Sequence, residues 1–202
     1  MIHVFIDGSA GTTGLRIRER LAARKELELI TLPEEKRKDP EARRDAMNRA
    51  DAAFLCLPDD AAREAAGLAE NPDLVLIDTS TAHRVDPAWC YGMAELPGQR
   101  EKIAAARRIA NPGCHATGFI MLAAPLVERG LVSPDAALSC FSLTGYSGGG
   151  KKMIAEYEAG ERDPLLEAPR MYGLGQGHKH LPEMRKYAGL TREPVFCPIV
   201  AP

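Results

Sequence analysis

The chain has 202 residues, room for one large or two small domains, and its 26 basic against 28 acidic residues leave a formal net charge of −2. That balance points away from nucleic acid and anionic membrane surfaces as partners. No apolar run approaches the ~20 residues of a membrane span, and Met1–Asp7 lacks the positive segment and long apolar stretch of a secretion signal. The five cysteines (Cys56, Cys90, Cys114, Cys140, Cys197) are scattered and form no C-x-x-C pair. Neither a zinc site nor a disulfide framework is expected, and a reducing cytoplasm fits.

Val4-Phe5-Ile6 reads as a short buried strand. It runs into Asp7-Gly8-Ser9-Ala10-Gly11-Thr12-Thr13-Gly14, with an amphipathic helix expected from Leu15 to about Lys25. Strand, glycine turn and helix form the context of a dinucleotide-binding turn, here spaced G-x-x-G-x-x-G. Glycines let the backbone approach a pyrophosphate, and the helix N-terminus faces its charge. Ser9, Thr12 and Thr13 add hydroxyls; an ordinary strand–helix connection is the alternative. A second strand is expected over Leu27–Leu32. No acidic residue ends it, and Lys36-Arg37-Lys38 follow closely, which leans toward NADP, although a solvated loop has the same composition.

Arg43–Arg49 looks helical. Ala52–Pro58 reads as a strand, and Asp59 or Asp60 is expected to cap a helix running to about Glu70. Leu74–Asp78 is another continuous apolar strand, opening onto the polar loop Thr79–Arg84, which contains Ser80. A helix is expected over Gly98–Arg108. Apolar residues then lead into Asn111-Pro112-Gly113-Cys114, followed by a helix from His115 to Arg129 with Phe119, Leu122, Ala123 and Leu126 at helical spacing. The sheet is expected to aim the glycine turn, the loops after Leu57 and Asp78, and Cys114 at one edge. Pro112 biases Asn111 toward extended backbone, and Gly113 permits a sharp turn. Cys114 therefore belongs at a helix N-terminus, where backbone N–H groups and the helix dipole favour a thiolate nucleophile. A small buried cysteine beside a turn is the plainer reading.

Beyond that helix the pattern changes. Ala137–Thr144 reads as a strand leading to Gly145-Tyr146-Ser147-Gly148-Gly149-Gly150-Lys151-Lys152, a glycine loop suited to an oxyanion but without P-loop spacing. A short helix and irregular chain occupy 153–172. Gly173-Leu174-Gly175-Gln176-Gly177-His178-Lys179-His180-Leu181-Pro182-Glu183 then places two histidines on a loop. Without cysteine partners, H-x-H-x-x-E is read as acid–base machinery rather than a metal site. Val195–Val200 is a final strand.

The glycine turn, N-P-G-C at a helix start, S-G-G-G-K and H-K-H-L-P-E, in that order along the whole chain, resemble the shorter, second type of N-acetyl-gamma-glutamyl-phosphate reductase. The resemblance implies a Rossmann-type, doubly wound parallel α/β sheet (residues 1–112) that binds NADP. An α+β catalytic and dimerisation domain of the semialdehyde-dehydrogenase type follows (residues 113–202). It implies NADPH-dependent reduction of N-acetyl-L-glutamyl 5-phosphate to the 5-semialdehyde and phosphate, a step of arginine biosynthesis, in a cytoplasmic homo-oligomer. Carried over by position, Cys114 forms a thioester, and His180, or less favourably His178, is the acid–base that Glu183 orients. Gly8, Ser9, Gly11, Thr12, Thr13, Gly14 and Ser80 lie at the cofactor. Asn111, Ser147, Gly148, Gly149 and Lys151 lie at the substrate.

Members of that family run to roughly 300 residues and carry a D-N-L-x-K-G-A-type segment that is not found here, so a C-terminally incomplete member is expected. On this reading the strands of 113–202 lack partners, making the second half less stable and prone to associate. The competing readings are an aspartate-semialdehyde-dehydrogenase-like reductase of another acyl phosphate, a non-catalytic dinucleotide-binding remnant, and a cysteine acyltransferase. The glycine turn speaks against the last, and intact Cys114 with H-x-H-x-x-E against the remnant.

Overall fold

The computed structural model describes all residues, Met1–Pro202, and they fall into two compact units, Met1–Pro112 and Gly113–Pro202. The first unit alternates strand and helix: β1 (Ile2–Asp7), α1 (Thr12–Ala22), β2 (Leu27–Ile30), α2 (Pro40–Asn48), β3 (Ala52–Leu55), α3 (Asp59–Gly67), β4 (Val75–Asp78), β5 (Cys90–Tyr91), α4 (Gln99–Ala105) and β6 (Arg108–Ala110). The strands form one sheet in the order β2-β1-β3-β4-β6-β5, every pair parallel. Their near-continuous apolar runs explain this choice, since parallel strands are covered on both faces. Phe5, Met47, Leu55, Leu76 and Trp89 form the core. Each such side chain is worth about 1.5–3 kcal/mol when taken from water. Strand order reverses between β1 and β3, and in open α/β sheets ligands settle in the crevice at that point, beyond the strands' carboxyl ends.

Three local expectations need correction. Helix α1 starts at Thr12 rather than Leu15. Its first turn is Thr-Thr-Gly, whose weak helix propensity hid it. Helix α3 starts at Asp59 with Pro58 at its cap position and no side-chain cap. The Asp59 carboxylate instead accepts the Thr81 backbone N–H (3.0 Å) and hydroxyl (2.6 Å), tying down the loop after β4. The two-residue edge strand β5 lies in a stretch where no element was expected, too short to leave a periodic signal.

The second unit comprises α5 (Cys114–Glu128), β7 (Ser139–Gly145), α6 (Gly150–Tyr157), β8 (Arg170–Met171), α7 (Leu181–Tyr187) and β9 (Val195–Ala201). The strands expected to lack partners pair with each other: β7 and β9 run parallel over seven residues, and β8 adds an antiparallel strand on the far side of β9. A parallel pair needs a long crossover, here the chain between Gly145 and Val195, so nothing local announces it. Helix α5 buries Ala116, Phe119, Ile120 and Ala123, while Leu122 is 74% exposed. The inward stripe is thus rotated from the one read by spacing. The expected glycine loop is mostly helical: a 3-10 turn over Tyr146–Gly149 continues into α6, with Gly150 taking a positive φ of 73° at the junction.

Candidate functional site

In the first unit the chain leaves β1 through a turn that admits only glycine at two places. Gly8 has φ +82°, and a Cβ there would lie 2.3 Å from the Cys56 carbonyl oxygen. A Cβ on Gly14 would lie 2.4 Å from the Gly8 oxygen. The turn closes by the Gly11 N–H donating to the Gly8 carbonyl (2.9 Å). Gly11 caps α1 without a side-chain acceptor, and the first intrahelical bond is Leu15 N–H to Gly11. The N–H groups of the first turn therefore lack intrahelical partners, as an anion site requires. Beside this turn is a cavity of about 800 Å³ lined by Gly8, Ser9, Arg18, Arg37, Lys38 and Arg43, among others. That is within the usual size of small-molecule sites. The cradle fits a dinucleotide. Arg18, contributed by α1, was not foreseen; of the basic run, Arg37 and Lys38 reach the cavity wall. Arg43 is committed elsewhere, its Nε (3.0 Å) and Nη2 (2.9 Å) donating to buried Asp7. Burial pushes the Asp7 carboxyl up, against the pull of that guanidinium.

Ser80 stands apart from this cavity, inside a buried network at the end of β4. Its hydroxyl donates to Asp78 Oδ2 (2.7 Å) and its N–H to Oδ1 (2.9 Å). His83 Nδ1 lies 2.7 Å from the same Asp78 Oδ2, and its ring stacks on Trp89 at 4.1 Å. Arg84 Nε donates to the Asn111 carbonyl (3.0 Å), fixing the strand end that precedes the Cys114 turn. Asn111 itself is exposed.

In the second unit Cys114 is the first residue of α5, exposed, behind Gly113 at the cap with no side-chain acceptor. The Gly113 N–H donates to Glu183 Oε2 (3.1 Å), and Glu183 is fully buried on α7. Its Oε1 lies 4.0 Å from His180 Nε2. Glu183 thus holds the turn before Cys114, with the His180 ring close by. His178 Nδ1 accepts the His180 backbone N–H (3.2 Å), so a neutral His178 carries its proton on Nε2. The two rings stand 4.7 Å apart, edge to face. Their loop is pinned by Gln176, whose side chain donates to the Phe196 carbonyl (2.9 Å) and accepts its N–H (2.8 Å). Gln176 adopts φ +54° to do so.

Sequence reasoning missed His115, Ser142 and Tyr172. His115 is buried beside Cys114, with Nδ1 2.7 Å from the Ser142 hydroxyl and Nε2 3.0 Å from the Tyr172 hydroxyl. The only available signal was its place directly after the cysteine. A groove of about 430 Å³ opens at Cys114, walled by Gly118, Leu122 and Leu126 of α5 and by Phe141 and Ser142 of β7. Ser147, Gly148, Gly149 and Lys151 are exposed and do not line it. Among the other cysteines, burial pushes Cys56 up to about 11 and raises Cys90 and Cys140, so these stay as thiols at neutral pH. No group of three or more His, Cys, Asp or Glu side chains is arranged to hold a metal ion. No helix is long and apolar enough to cross a membrane.

A parallel nucleotide-type sheet followed by a cysteine–histidine unit defines a class. Residues 3–106 match the family model described as semialdehyde dehydrogenase, NAD binding domain, and residues 114–202 the one described as its dimerisation domain. The chain belongs to the semialdehyde dehydrogenase family. Within it, the chain is 50% identical over 198 residues to N-acetyl-gamma-glutamyl-phosphate reductase 2 of Pseudomonas putida (96% of this chain, 62% of the relative). It is likewise 50% identical over 200 residues to the N-acetyl-gamma-glutamyl-phosphate reductase of Brucella ovis (98% of this chain, 64% of the relative). The resemblance read from the motifs is thereby borne out, and the chain spans a little under two thirds of these relatives' length. Solved structures share the fold. Aspartate semialdehyde dehydrogenase II from Vibrio cholerae aligns with TM-score 0.67 at 17% identity, over 100% of this chain and 70% of that one. The Candida albicans aspartate semialdehyde dehydrogenase with NADP aligns with TM-score 0.67 at 16% identity, over 100% and 68%.

Proposed function

We propose that this chain serves the NADPH-dependent reduction of N-acetyl-L-glutamyl 5-phosphate to N-acetyl-L-glutamate 5-semialdehyde and phosphate, in arginine biosynthesis. The observation that carries this reading is an exposed cysteine at an uncapped helix start, held by Glu183 within a cluster of buried and half-buried histidines. The substrate follows from the relatives that share half of its residues.

Cys114 attacks the acyl carbon, the carbonyl pair moves to oxygen, and collapse of that adduct expels phosphate to leave a thioester. Backbone N–H groups of the first turn of α5 stabilise the developing oxyanion. NADPH, when bound, would supply the hydride needed to reduce the thioester. His180 gives a proton to the oxygen of the hydride adduct and takes it back as the thiohemiacetal collapses, releasing the aldehyde and regenerating the thiolate; Glu183 orients it, and His178 stands beside it. The Gly8–Gly14 turn and the N–H groups at the start of α1 would hold the pyrophosphate, and Arg18, Arg37 and Lys38 would be the cations available to the 2′-phosphate of NADP. Thus residues 1–112 act as the nucleotide unit and 113–202 as the catalytic unit. The family model for the second unit supports a homo-oligomer. Five free cysteines fit a reducing cytoplasm. Phosphate-dependent reduction of NADP by N-acetylglutamate semialdehyde, the reverse reaction, tests the proposal. Reduction that requires phosphate and Cys114 supports it; reduction that persists in Cys114→Ala refutes it.

A further inference from the structure

Gln176 is the one residue other than glycine that adopts a positive φ, 54°. Such a backbone is strained for any residue with a β-carbon and persists where its surroundings impose it. Gly175 and Gly177, on either side, do not adopt one. A glutamine therefore stands where glycine would be least strained, and its side chain must offset the difference.

What the side chain does is seen along β9. Successive residues of a strand turn their backbone N–H and C=O groups to opposite edges. On the edge facing away from β7, Arg170 of β8 stands opposite Val200, and the Tyr172 N–H donates to the Pro198 carbonyl (3.1 Å). Pro198 has no N–H and can only accept there. The chain then leaves the sheet at Gly173, φ 63°, and the Gln176 N–H closes the turn on the Gly173 carbonyl (3.1 Å). Phe196 is the next residue on that edge, and at this rung the Gln176 side chain takes the place of a strand. Its Nε2 donates to the Phe196 carbonyl (2.9 Å) and its Oε1 accepts the Phe196 N–H (2.8 Å). A primary amide offers the same donor and acceptor as a peptide group, which is what the rung requires.

Phe196 couples this clamp to the site. Its ring is buried, 4.9 Å from the His178 ring and 5.3 Å from the His115 ring, edge to face with both. Two residues after Gln176 comes His178, whose Nδ1 accepts the His180 N–H, and α7 begins directly after His180. Beyond the histidines, Glu183 accepts the Gly113 N–H (3.1 Å). The two histidines are thus held between two anchors, one on β9 and one on the turn before Cys114.

We infer that Gln176 is a positioning residue, its side-chain amide completing the edge of β9 and thereby fixing the loop that carries His178 and His180. The inference rests on the acid–base role given to these histidines in the proposed reaction. Gln176 acts through the rings it places rather than on the reacting atoms.

The test is nitrogen NMR of the histidine rings in the full, isotopically labelled chain, at a pH where the rings are neutral. The parent should show His178 as a single tautomer, protonated on Nε2 and bare on Nδ1. Gln176→Gly removes the amide and accepts the backbone conformation without strain. It is expected to draw the two His178 nitrogen signals toward each other as the tautomers mix, and to speed hydrogen exchange at the Phe196 amide by about tenfold or more. In the reverse reaction its kcat should fall by about tenfold with KM nearly unchanged, because a displaced acid–base weakens the chemical step and not substrate binding. Leu174→Ala, an exposed neighbour in the same loop, should leave all of these readings in place. Should Gln176→Gly fail to fold, Gln176→Glu keeps the size, sets a carboxylate against the Phe196 carbonyl, and carries the test with the same expected shifts. His178 signals that overlay the parent's, or shifted signals with an undiminished kcat, overturn the inference. A parent chain without turnover whose His178 signals still move with Gln176→Gly keeps the clamp and loses the acid–base reading.

Discussion

Replacing Gly8 by alanine should cost the first unit several kcal/mol and its nucleotide binding. Two separate penalties meet there. A β-carbon at φ +82° incurs the left-handed cost of about 1–2 kcal/mol. The same carbon would sit 2.3 Å from the Cys56 carbonyl oxygen, a backbone atom that cannot rotate away. Relieving such an overlap in a packed region costs typically ~1–3 kcal/mol. Together they come to roughly 2–5 kcal/mol, a large part of the ~5–15 kcal/mol that holds a domain folded. Gly67, at the end of α3, is the control, since a Cβ there meets nothing within 4 Å. Alanine at that site should be neutral or stabilising by up to about 1 kcal/mol. Urea denaturation followed by Trp89 fluorescence reads the first unit, and calorimetric titration reads NADP binding. A Gly8→Ala chain with an unchanged midpoint and unchanged NADP affinity would refute the close-approach argument for this turn.

Removing the cations Arg37 and Lys38 together should weaken NADP by about ten- to a hundredfold while leaving NAD nearly unchanged, since charge-assisted bonds to a phosphate are worth ~1.5–3 kcal/mol; cofactor titrations decide it. Arg43→Met should destabilise the first unit by about 3–5 kcal/mol by stranding buried Asp7, and Asp7→Asn in the same chain should restore much of the loss in a double-mutant denaturation cycle. Burial lowers His115 below its ordinary 6.5, so the unfolded chain binds that proton first as the pH falls. The second unit should therefore lose stability on acidification through about 6.5 until the folded ring protonates as well, and His115→Phe should flatten that part of the urea midpoint–pH curve. Iodoacetamide should modify Cys114 ahead of Cys56, Cys90 and Cys140, whose thiols burial holds un-ionised; equal rates in peptide mass spectra would contradict the nucleophile assignment.

What could be read from the sequence is what obeys local rules. Continuous apolar strands such as Val4–Ile6 and Leu74–Ile77, glycines after β1, and Asn-Pro-Gly before Cys114 each carry a physical signature within a few residues. The signals that failed were non-local or masked. Pairing of β7 with β9 joins segments some fifty residues apart in sequence, and β5 is too short for a period. The glycine run after β7 looked like a loop because glycine is a poor helix former, yet Tyr146 and Tyr157 stack at 4.8 Å and anchor α6. His115 was invisible as a site residue because its partners come from β7 and from the chain following β8, which only tertiary structure brings together. Ser80 read as a cofactor residue, and its tie to Asp78 across the end of β4 was not legible beside that.

The central claim is that Cys114 forms a thioester, and its most direct test omits phosphate. The full chain is mixed with N-acetylglutamate semialdehyde and NADP and examined intact, then as peptides, by mass spectrometry. The account predicts an N-acetylglutamyl group on Cys114, formed with an equal amount of NADPH, removed by added phosphate, and missing in Cys114→Ala. An acyl group on another residue, or NADPH formed without any adduct on Cys114, would contradict it.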